Sequence, residues 1–341
     1  MRVLLIKTSS LGDVVHTLPA LTDAQRAIPG IRIDWVVEEG FAEIPSWHPA
    51  VGEVIPVAIR RWRKNLLKTW RNGEWRSFKG KLASRQYDLI IDAQGLLKSA
   101  MLTRLNPAPC AGYDRHSIRE PLASKFYDRH YAVSRQLHAV ERIRQLFAQA
   151  LNYPVPEGVG DYGIDTSRLP AVAVPQEPFV VFCHGTTWQT KFWPEAYWRE
   201  LAERYSQKNV KVLLPWGNPE EKARAERIAD GLCQVEVLPK LSLWEVAGVL
   251  SKAQQVVAVD TGLGHLTAAV GTPAVALYGP TDPTLTSSYG RDQQILSATL
   301  PCAPCLSKRC LLSKEKQAKA PAWPPCMAQL TPERVEQVRH K

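Results

Sequence analysis

The sequence predicts an α/β protein of two Rossmann-like domains, each a parallel sheet wound by helices on both faces, the two facing each other across a cleft. Three observations lead there. The chain has 341 residues, more than one core usually takes and enough for two domains of about 150 residues each. Short apolar runs alternate with helical periodicity along most of its length, the mark of βαβ units. Proline- and glycine-rich stretches at 153–160 and 169–178 interrupt that alternation midway, as a domain junction does. The expected division is an amino-terminal domain over 1–160, a carboxyl-terminal domain over 161–330 and a last helix over 331–341.

The elements follow in order. Residues 2–8 are a short apolar run stopped by Ser9-Ser10-Leu11-Gly12, after which 13–28 carries helical spacing through Val14, Leu18, Leu21 and Ala24. Strand patterns recur at 32–38, 54–59 and 87–93, the last followed by a helical stretch over 95–105. Residues 138–151 read as a helix with Val140, Ile143, Leu146 and Phe147 on one side. Beyond the junction come strands at 179–184, 210–215, 256–259 and 274–278, with helices at 194–207, 219–232 and 243–253. Thr331-Pro332-Glu333 places a cap residue before a proline, so a final helix is expected to run to His340. In doubly wound sheets ligands sit beyond the carboxyl ends of the strands. Chemistry is therefore expected at 9–13, 94–98, 184–191 and 260–265.

Composition narrows the class. With 45% hydrophobic and 22% charged residues the chain is globular, neither disordered nor fibrous. It has no apolar run of the 18 or more residues that span a bilayer, and no signal-peptide pattern at its start, so a cytoplasmic location is expected. The net charge of +10 has an address: ten basic residues against Glu74 alone lie between Arg60 and Arg85. Such a block calls for an anionic partner, whether nucleic acid, lipid or phosphorylated substrate. The interleaved Trp62, Leu66, Leu67, Trp70, Trp75 and Phe78 favour a lipid–water interface; otherwise the segment is a solvated basic helix with core aromatics.

Several turns carry candidate chemistry. Asp260-Thr261-Gly262-Leu263-Gly264-His265 leaves a strand and enters a helix, so its amides and hydroxyl can face an anion. Its glycines match two positions of the dinucleotide fingerprint, but Thr267 stands where the third would be; a sterically required turn explains them equally. Thr186, Thr187 and Lys191 offer two hydroxyls and a point charge suited to a diphosphate leaving group. Asp13, at a helix start, is either a cap or a general base that Gly12 leaves approachable. Cys302, Cys305, Cys310 and Cys326 could form a structural zinc site, although Cys310 and Cys326 are 16 residues apart instead of forming a second tight pair.

Residues 7–20, with Asp34-Trp35-Val36-Val37-Glu38-Glu39, Arg60-Arg61-Trp62-Arg63-Lys64, Asp92-Ala93-Gln94-Gly95, Leu214-Pro215-Trp216-Gly217, Asp260 to His265 and Tyr278-Gly279-Pro280-Thr281-Asp282-Pro283, together resemble the bacterial ADP-heptose:lipopolysaccharide heptosyltransferases over nearly the whole chain to about residue 300. The resemblance is strongest to the branch that adds the first heptose; the cysteine tail looks more like that of relatives adding the second. It implies a GT-B fold and metal-independent, inverting transfer of L-glycero-D-manno-heptose from ADP-heptose to the inner Kdo of Kdo2-lipid A, at the cytoplasmic surface of the inner membrane. Asp13 then matches the catalytic base. Thr186, Thr187, Lys191, Glu221, Asp260, Thr261, Gly262 and His265 match the donor site, with Lys191 on the diphosphate and Glu221 on the ADP ribose. Arg60, Arg61, Arg63 and Lys64 would face the acceptor's phosphates and carboxylates. The implied partners are thus ADP-heptose, Kdo2-lipid A and the membrane surface, with no nucleic acid. Two rivals remain: a nicotinamide-dependent oxidoreductase, which leaves the basic block unexplained, and a nucleic-acid module, which does not explain a charge confined to one segment.

Overall fold

Strand β1 (Arg2–Ile6) is apolar on both faces, and Val3 through Ile6 are fully buried, as a parallel strand covered by helices on either side must be. It opens the first of two units, Met1–Asp165 and Thr166–Lys341, into which the computed structural model divides. The structure describes residues 1–65, 69, 71–312 and 322–338.

In the first unit the helix expected over 13–28 is two, α1 (Leu11–Val15) and α2 (Leu18–Ala27). Pro19 is the reason, because a residue without an N–H fits the first turn of a new helix and cannot continue an old one. There follow β2 (Arg32–Glu38), β3 (Val51–Val57), α3 (Ile59–Trp62), α4 (Glu74–Ala83), β4 (Leu89–Asp92), α5 (Leu97–Thr103), β5 (Cys110–Tyr113), β6 (Arg129–Tyr131) and α6 (Ala139–Leu151). The six strands pair in parallel in the order β3-β2-β1-β4-β5-β6. β3 ends at Val57, not at Ile59 as expected, because Ile59 already belongs to α3. Strands β5 and β6 were not expected. They have four and three residues and show no alternation, and the Tyr127 ring lies where a side chain on Gly112 would go.

α6 ties this unit's end down. Arg144, only 2% exposed, pairs with Asp23 of α2 at 2.6 Å and donates to the carbonyls of Gly158 and Pro156. Removing one partner of such a buried pair costs about 3–5 kcal/mol, since the other charge stays buried alone.

The second unit runs β7 (Phe179–Cys183), α7 (Glu195–Ser206), β8 (Lys211–Leu214), α8 (Pro219–Ala229), β9 (Val235–Val237), α9 (Leu243–Lys252), β10 (Gln255–Val259), α10 (Gly262–Ala269), β11 (Ala274–Tyr278), α11 (Pro283–Thr286), β12 (Gln293–Ser297), α12 (Pro325–Ala328) and α13 (Pro332–Gln337). Its sheet is again six parallel strands, ordered β12-β11-β10-β7-β8-β9. Counted from each unit's first strand, the two orders are the same. Phe182, Trp193 and Trp198 centre its core, the two tryptophan rings meeting edge to face at 4.8 Å. Trp193 also donates its indole N–H to Leu330 O at 2.7 Å, which fixes the carboxyl-terminal segment to the sheet. His340, the expected end of the last helix, lies outside the described residues. In each unit the order reverses beside the first strand, between β1 and β4 and between β7 and β10, which is where a doubly wound sheet opens a crevice.

Candidate functional site

At the first reversal the chain leaves β1 through a loop held from below. Lys7 is buried, donates to Ala93 O at 3.1 Å, and its own carbonyl accepts the Trp35 indole N–H at 2.9 Å. Gln94 Oε1 accepts the amides of Thr8 and Ser9, at 2.9 and 3.1 Å. The loops after β1 and β4 are thereby locked together, and α1 starts in a fixed direction.

Asp13 sits in the first turn of α1. Its Oδ2 accepts the Ser10 amide at 2.7 Å and the Ser10 hydroxyl at 3.0 Å, completing a capping box. Oδ1 lies 3.6 Å from Lys7 Nζ, and the side chain is 43% exposed. Asp13 is therefore both a cap and an accessible carboxylate beside a buried cation. Asp92 is the opposite case. It is wholly buried, its carboxyl bonded by Tyr127, Ser99 and the amides of Gln94 and Gly95. Burial outweighs those bonds and pushes it above the ordinary carboxylate range. It can shape the loop but not receive a proton from a substrate.

The residues expected to face the acceptor lie on and just after α3. Arg60 donates its amide to Glu38 Oε1 at 2.9 Å and sets its guanidinium 5.4 Å above the Phe41 ring. Arg63 and Lys64 are exposed. Arg61 pairs with Glu39 at 3.0 Å and Glu74 at 2.9 Å, which hold its charge firmly in place. Part of the basic block is thus compensated within the protein, as is Arg85 by Glu53 and Asp34. The aromatic part also needs correction. Trp62 and Phe78 are 8% and 4% exposed and meet edge to face at 5.7 Å as core, leaving Trp75 at the surface; Leu66, Leu67 and Trp70 lie outside the described residues.

Two groups here were not expected, and a third, Lys98, lies in the 94–98 turn where chemistry was expected. Lys7 has been described. Glu38 keeps Oε2 buried without a hydrogen-bond partner among the described residues. Lys98 reaches Ser9 Oγ at 3.4 Å, and its ammonium is weakened first by partial burial, with Arg60 and Arg63 adding to that and Glu38 and Asp13 opposing it. The strand-end position of Lys7 was the signal in the sequence; nothing there pointed to Glu38.

At the second reversal Asp260 is the hub. It pairs with Lys191 Nζ at 2.6 Å, accepts the Thr281 hydroxyl at 2.7 Å, and stands 3.8 Å from His265 Nε2. Thr186 donates to the Asp260 carbonyl at 3.1 Å. Thr261 is the N-cap of α10 and makes no side-chain cap bond, and Gly262 is the first helical residue; the Gly264 amide already bonds Thr261 O at 3.1 Å, so an anion there would meet the Gly262 and Leu263 amides. Gly264 packs against Ala258 and Ser288, so this glycine serves helix–strand contact and not a pyrophosphate. Lys191 Nζ lies 4.4 Å above the Trp188 ring, and Lys308 Nζ lies 5.7 Å from that ring. Glu221 accepts the Gly217 amide at 2.8 Å, and its carboxylate fills the space a side chain on Gly185 would need. Thr187 is exposed on the same loop. The structure therefore gathers Thr186, Lys191, Asp260, Thr261, Gly262 and His265 around one helix start. Thr281, Trp188 and Lys308 join them without having been anticipated.

The four late cysteines are free thiols lining one small cavity. Among the described residues no group of three or more His, Cys, Asp or Glu side chains is set around a metal position. Nor, among them, is any helix long and apolar enough to cross a membrane.

The family model for glycosyltransferase family 9 (heptosyltransferase) matches residues 75–316. Lipopolysaccharide heptosyltransferase 1 of Pseudomonas aeruginosa is 62% identical over 98% of this chain and 96% of its own. The Escherichia coli K12 enzyme of the same name is 54% identical over 87% of this chain and 94% of its own. Among solved structures, E. coli heptosyltransferase WaaC with ADP-2-deoxy-2-fluoro heptose superposes with a TM-score of 0.84 at 49% identity, covering 99% of this chain and 98% of that one.

Proposed function

Because this chain belongs to glycosyltransferase family 9, the heptosyltransferases, we propose that it moves L-glycero-D-manno-heptose from ADP-heptose to the inner Kdo of Kdo2-lipid A, with inversion at the anomeric carbon. The two relatives above both carry the name lipopolysaccharide heptosyltransferase 1, which favours the first heptose over the second. One observation supports the reading most. The Lys191–Asp260–Thr281 cluster lies at the amino end of α10, where a diphosphate would meet the Gly262 and Leu263 amides, a hydroxyl and a held ammonium.

The steps assign themselves to residues. Asp13 accepts the proton of the attacking Kdo hydroxyl while that oxygen bonds to the anomeric carbon and the bond to the ADP oxygen breaks. Lys7, 3.6 Å from Oδ1, orients the carboxylate. The charge that develops on the leaving diphosphate falls to Lys191, kept by Asp260 and the Trp188 face in one place, with Thr186, Thr187 and the Thr261–Gly262 turn adding hydrogen bonds. Glu221 is suited to the ADP ribose hydroxyls, and His265 bears on the diphosphate side of Asp260. Arg60, Arg61, Arg63 and Lys64 meet the acceptor's anionic groups. Peripheral contact with the cytoplasmic face of the inner membrane is supported by Trp75, Leu97, Met101 and Leu122, all exposed on the first unit. Incubation with ADP-heptose and Kdo2-lipid A, read by mass spectrometry, is expected to yield a single heptose adduct and ADP. No adduct on Kdo2-lipid A but one on an acceptor already carrying heptose would refute the first-heptose reading.

A further inference from the structure

The donor cluster is short of net positive charge. Lys191 Nζ lies 2.6 Å from Asp260 Oδ2 with both side chains largely buried, so an arriving anion meets a nearly neutral pair. A nucleotide diphosphate carries a negative charge on each phosphate and gains another when the bond to the sugar breaks. Amides and hydroxyls can bond it, but neither residues 184–191 nor α10 offers a lysine or arginine besides Lys191.

The carboxyl-terminal segment does. Its turn at 306–309 is tied to both loops that surround Asp260. Leu306, in a left-handed conformation with φ 53°, donates its amide to Pro280 O at 2.7 Å, beside Thr281. Ser307 O accepts the Thr190 hydroxyl at 2.7 Å, beside Lys191. Ser307 Oγ donates in turn to Arg309 O at 2.7 Å and accepts the Arg309 amide at 3.3 Å, which closes the turn around residue 308. Lys308 is exposed and makes no ion pair among the described residues; its Nζ lies 5.7 Å from the centre of the Trp188 ring, the ring that Lys191 Nζ covers at 4.4 Å. The ring attracts both ammoniums, yet the two repel each other, and an anion bonded by both turns that repulsion into attraction.

We propose that Lys308 is a second diphosphate-binding residue of the donor site, carried there by the turn at 306–309. No carboxylate matches its charge in advance, so it adds the positive charge that the Lys191–Asp260 pair lacks. On a flexible stem it meets a phosphate oxygen as a point charge and takes part of the charge that develops on the departing nucleotide. This role rests on the nucleotide-sugar reading of the site and gives that reading a residue from outside the strand-end loops.

Isothermal titration of the full chain with ADP alone tests it without sugar or acceptor. Lys308→Met keeps the stem and its packing on Trp188 but removes the charge, and should weaken ADP binding roughly fivefold at low salt, the scale of an exposed charge contact. Lys308→Arg, which keeps the charge, should bind ADP as the wild type does. So should Arg309→Ala, which removes a neighbouring charge that has no place in the site. The deficit of Lys308→Met should fade as salt rises. Undiminished ADP affinity in Lys308→Met, an equal loss in Lys308→Arg, or an equal loss in Arg309→Ala would each overturn the role of Lys308 and leave the donor site standing. If the wild-type chain itself bound no ADP, the donor-site reading would fall together with it.

Discussion

The two units repeat one strand order yet arrange charge in opposite ways. In the first, part of the charge is left free: Arg61 is paired with Glu39 and Glu74, but Arg63 and Lys64 are exposed without an ion pair among the described residues, and Asp13 is 43% exposed beside Lys7. In the second, the cation is already matched, Lys191 lying 2.6 Å from Asp260 with both side chains largely buried. The difference fits the ligands proposed for each. A large polyanion that arrives from a lipid surface is attracted by free charge, whereas a nucleotide diphosphate is bound by a small preorganised cluster whose cation must not wander. A shared topology thus provides only the crevice; the residues at the strand ends decide what enters it.

The sharpest way to break this division is at Asp13. Asp13→Asn keeps the size and the capping ability but cannot take a proton, so kcat is expected to fall by roughly 10²–10⁴-fold with ADP affinity little changed. Retention of more than about a tenth of wild-type kcat, a loss below that range, would reduce Asp13 to a cap. Asp92 could not replace it, being fully buried; Glu39, exposed and paired with Arg61, would be the next carboxylate to test.

On the other unit, Lys191→Ala should lower kcat by roughly 10²–10³-fold, the usual loss on removing one stabiliser of developing negative charge. It should also weaken ADP binding, which isothermal titration would report. Unchanged ADP affinity would mean that the Asp260 pair is only structural.

The units also share a liability at low pH, and comparing them tests it. His48 in the first and His184 in the second are each buried and pushed down to about 4, mainly by burial. The unfolded chain, with an ordinary histidine value of 6.5, binds protons that the folded one refuses. Stability is therefore full above about pH 6.5 and falls as pH drops toward 4, by up to about 3 kcal/mol for each histidine. Denaturant unfolding at pH 7, 5.5 and 4.5 should show that slope, and His184→Asn should flatten part of it. Equal stability across this range would show that neither histidine stays neutral in the folded protein.

Much of this was legible in the sequence, unevenly. Long apolar strands such as β1 and β10 and amphipathic α6 announced themselves, because burial on both faces or on one stripe leaves a pattern. Short edge strands did not: β6 is Arg129-His130-Tyr131, three residues at the sheet edge that pair with β5. That Lys191, Asp260 and Thr261 would meet at one helix start was readable because glycine, threonine and lysine fall at successive strand–helix turns. Glu38 was hidden because its place depends on facing Arg60, a neighbour in space and not in sequence; Lys98 closed an expected turn, but its reach to Ser9 did not show in the sequence.

The smallest expected effect divides the arginines themselves. Arg60 and Arg63 carry no side-chain ion pair among the described residues, while Arg61 is gripped by Glu39 and Glu74. An exposed charge contact is worth up to about 1 kcal/mol, so replacing both Arg60 and Arg63 with serine should raise the acceptor KM by roughly 10- to 30-fold. Arg61→Ser should raise it by about threefold or less, because part of that charge is already neutralised. Both effects should shrink as salt rises, since exposed charges are screened over about 8 Å at physiological ionic strength. ADP affinity should hold constant throughout, because these residues and Lys191 belong to different units. If Arg61→Ser matched the double replacement, Arg61 would have to leave Glu39 and Glu74 for the acceptor. If ADP binding fell in step with the acceptor KM, the assignment of one ligand to each unit would be wrong.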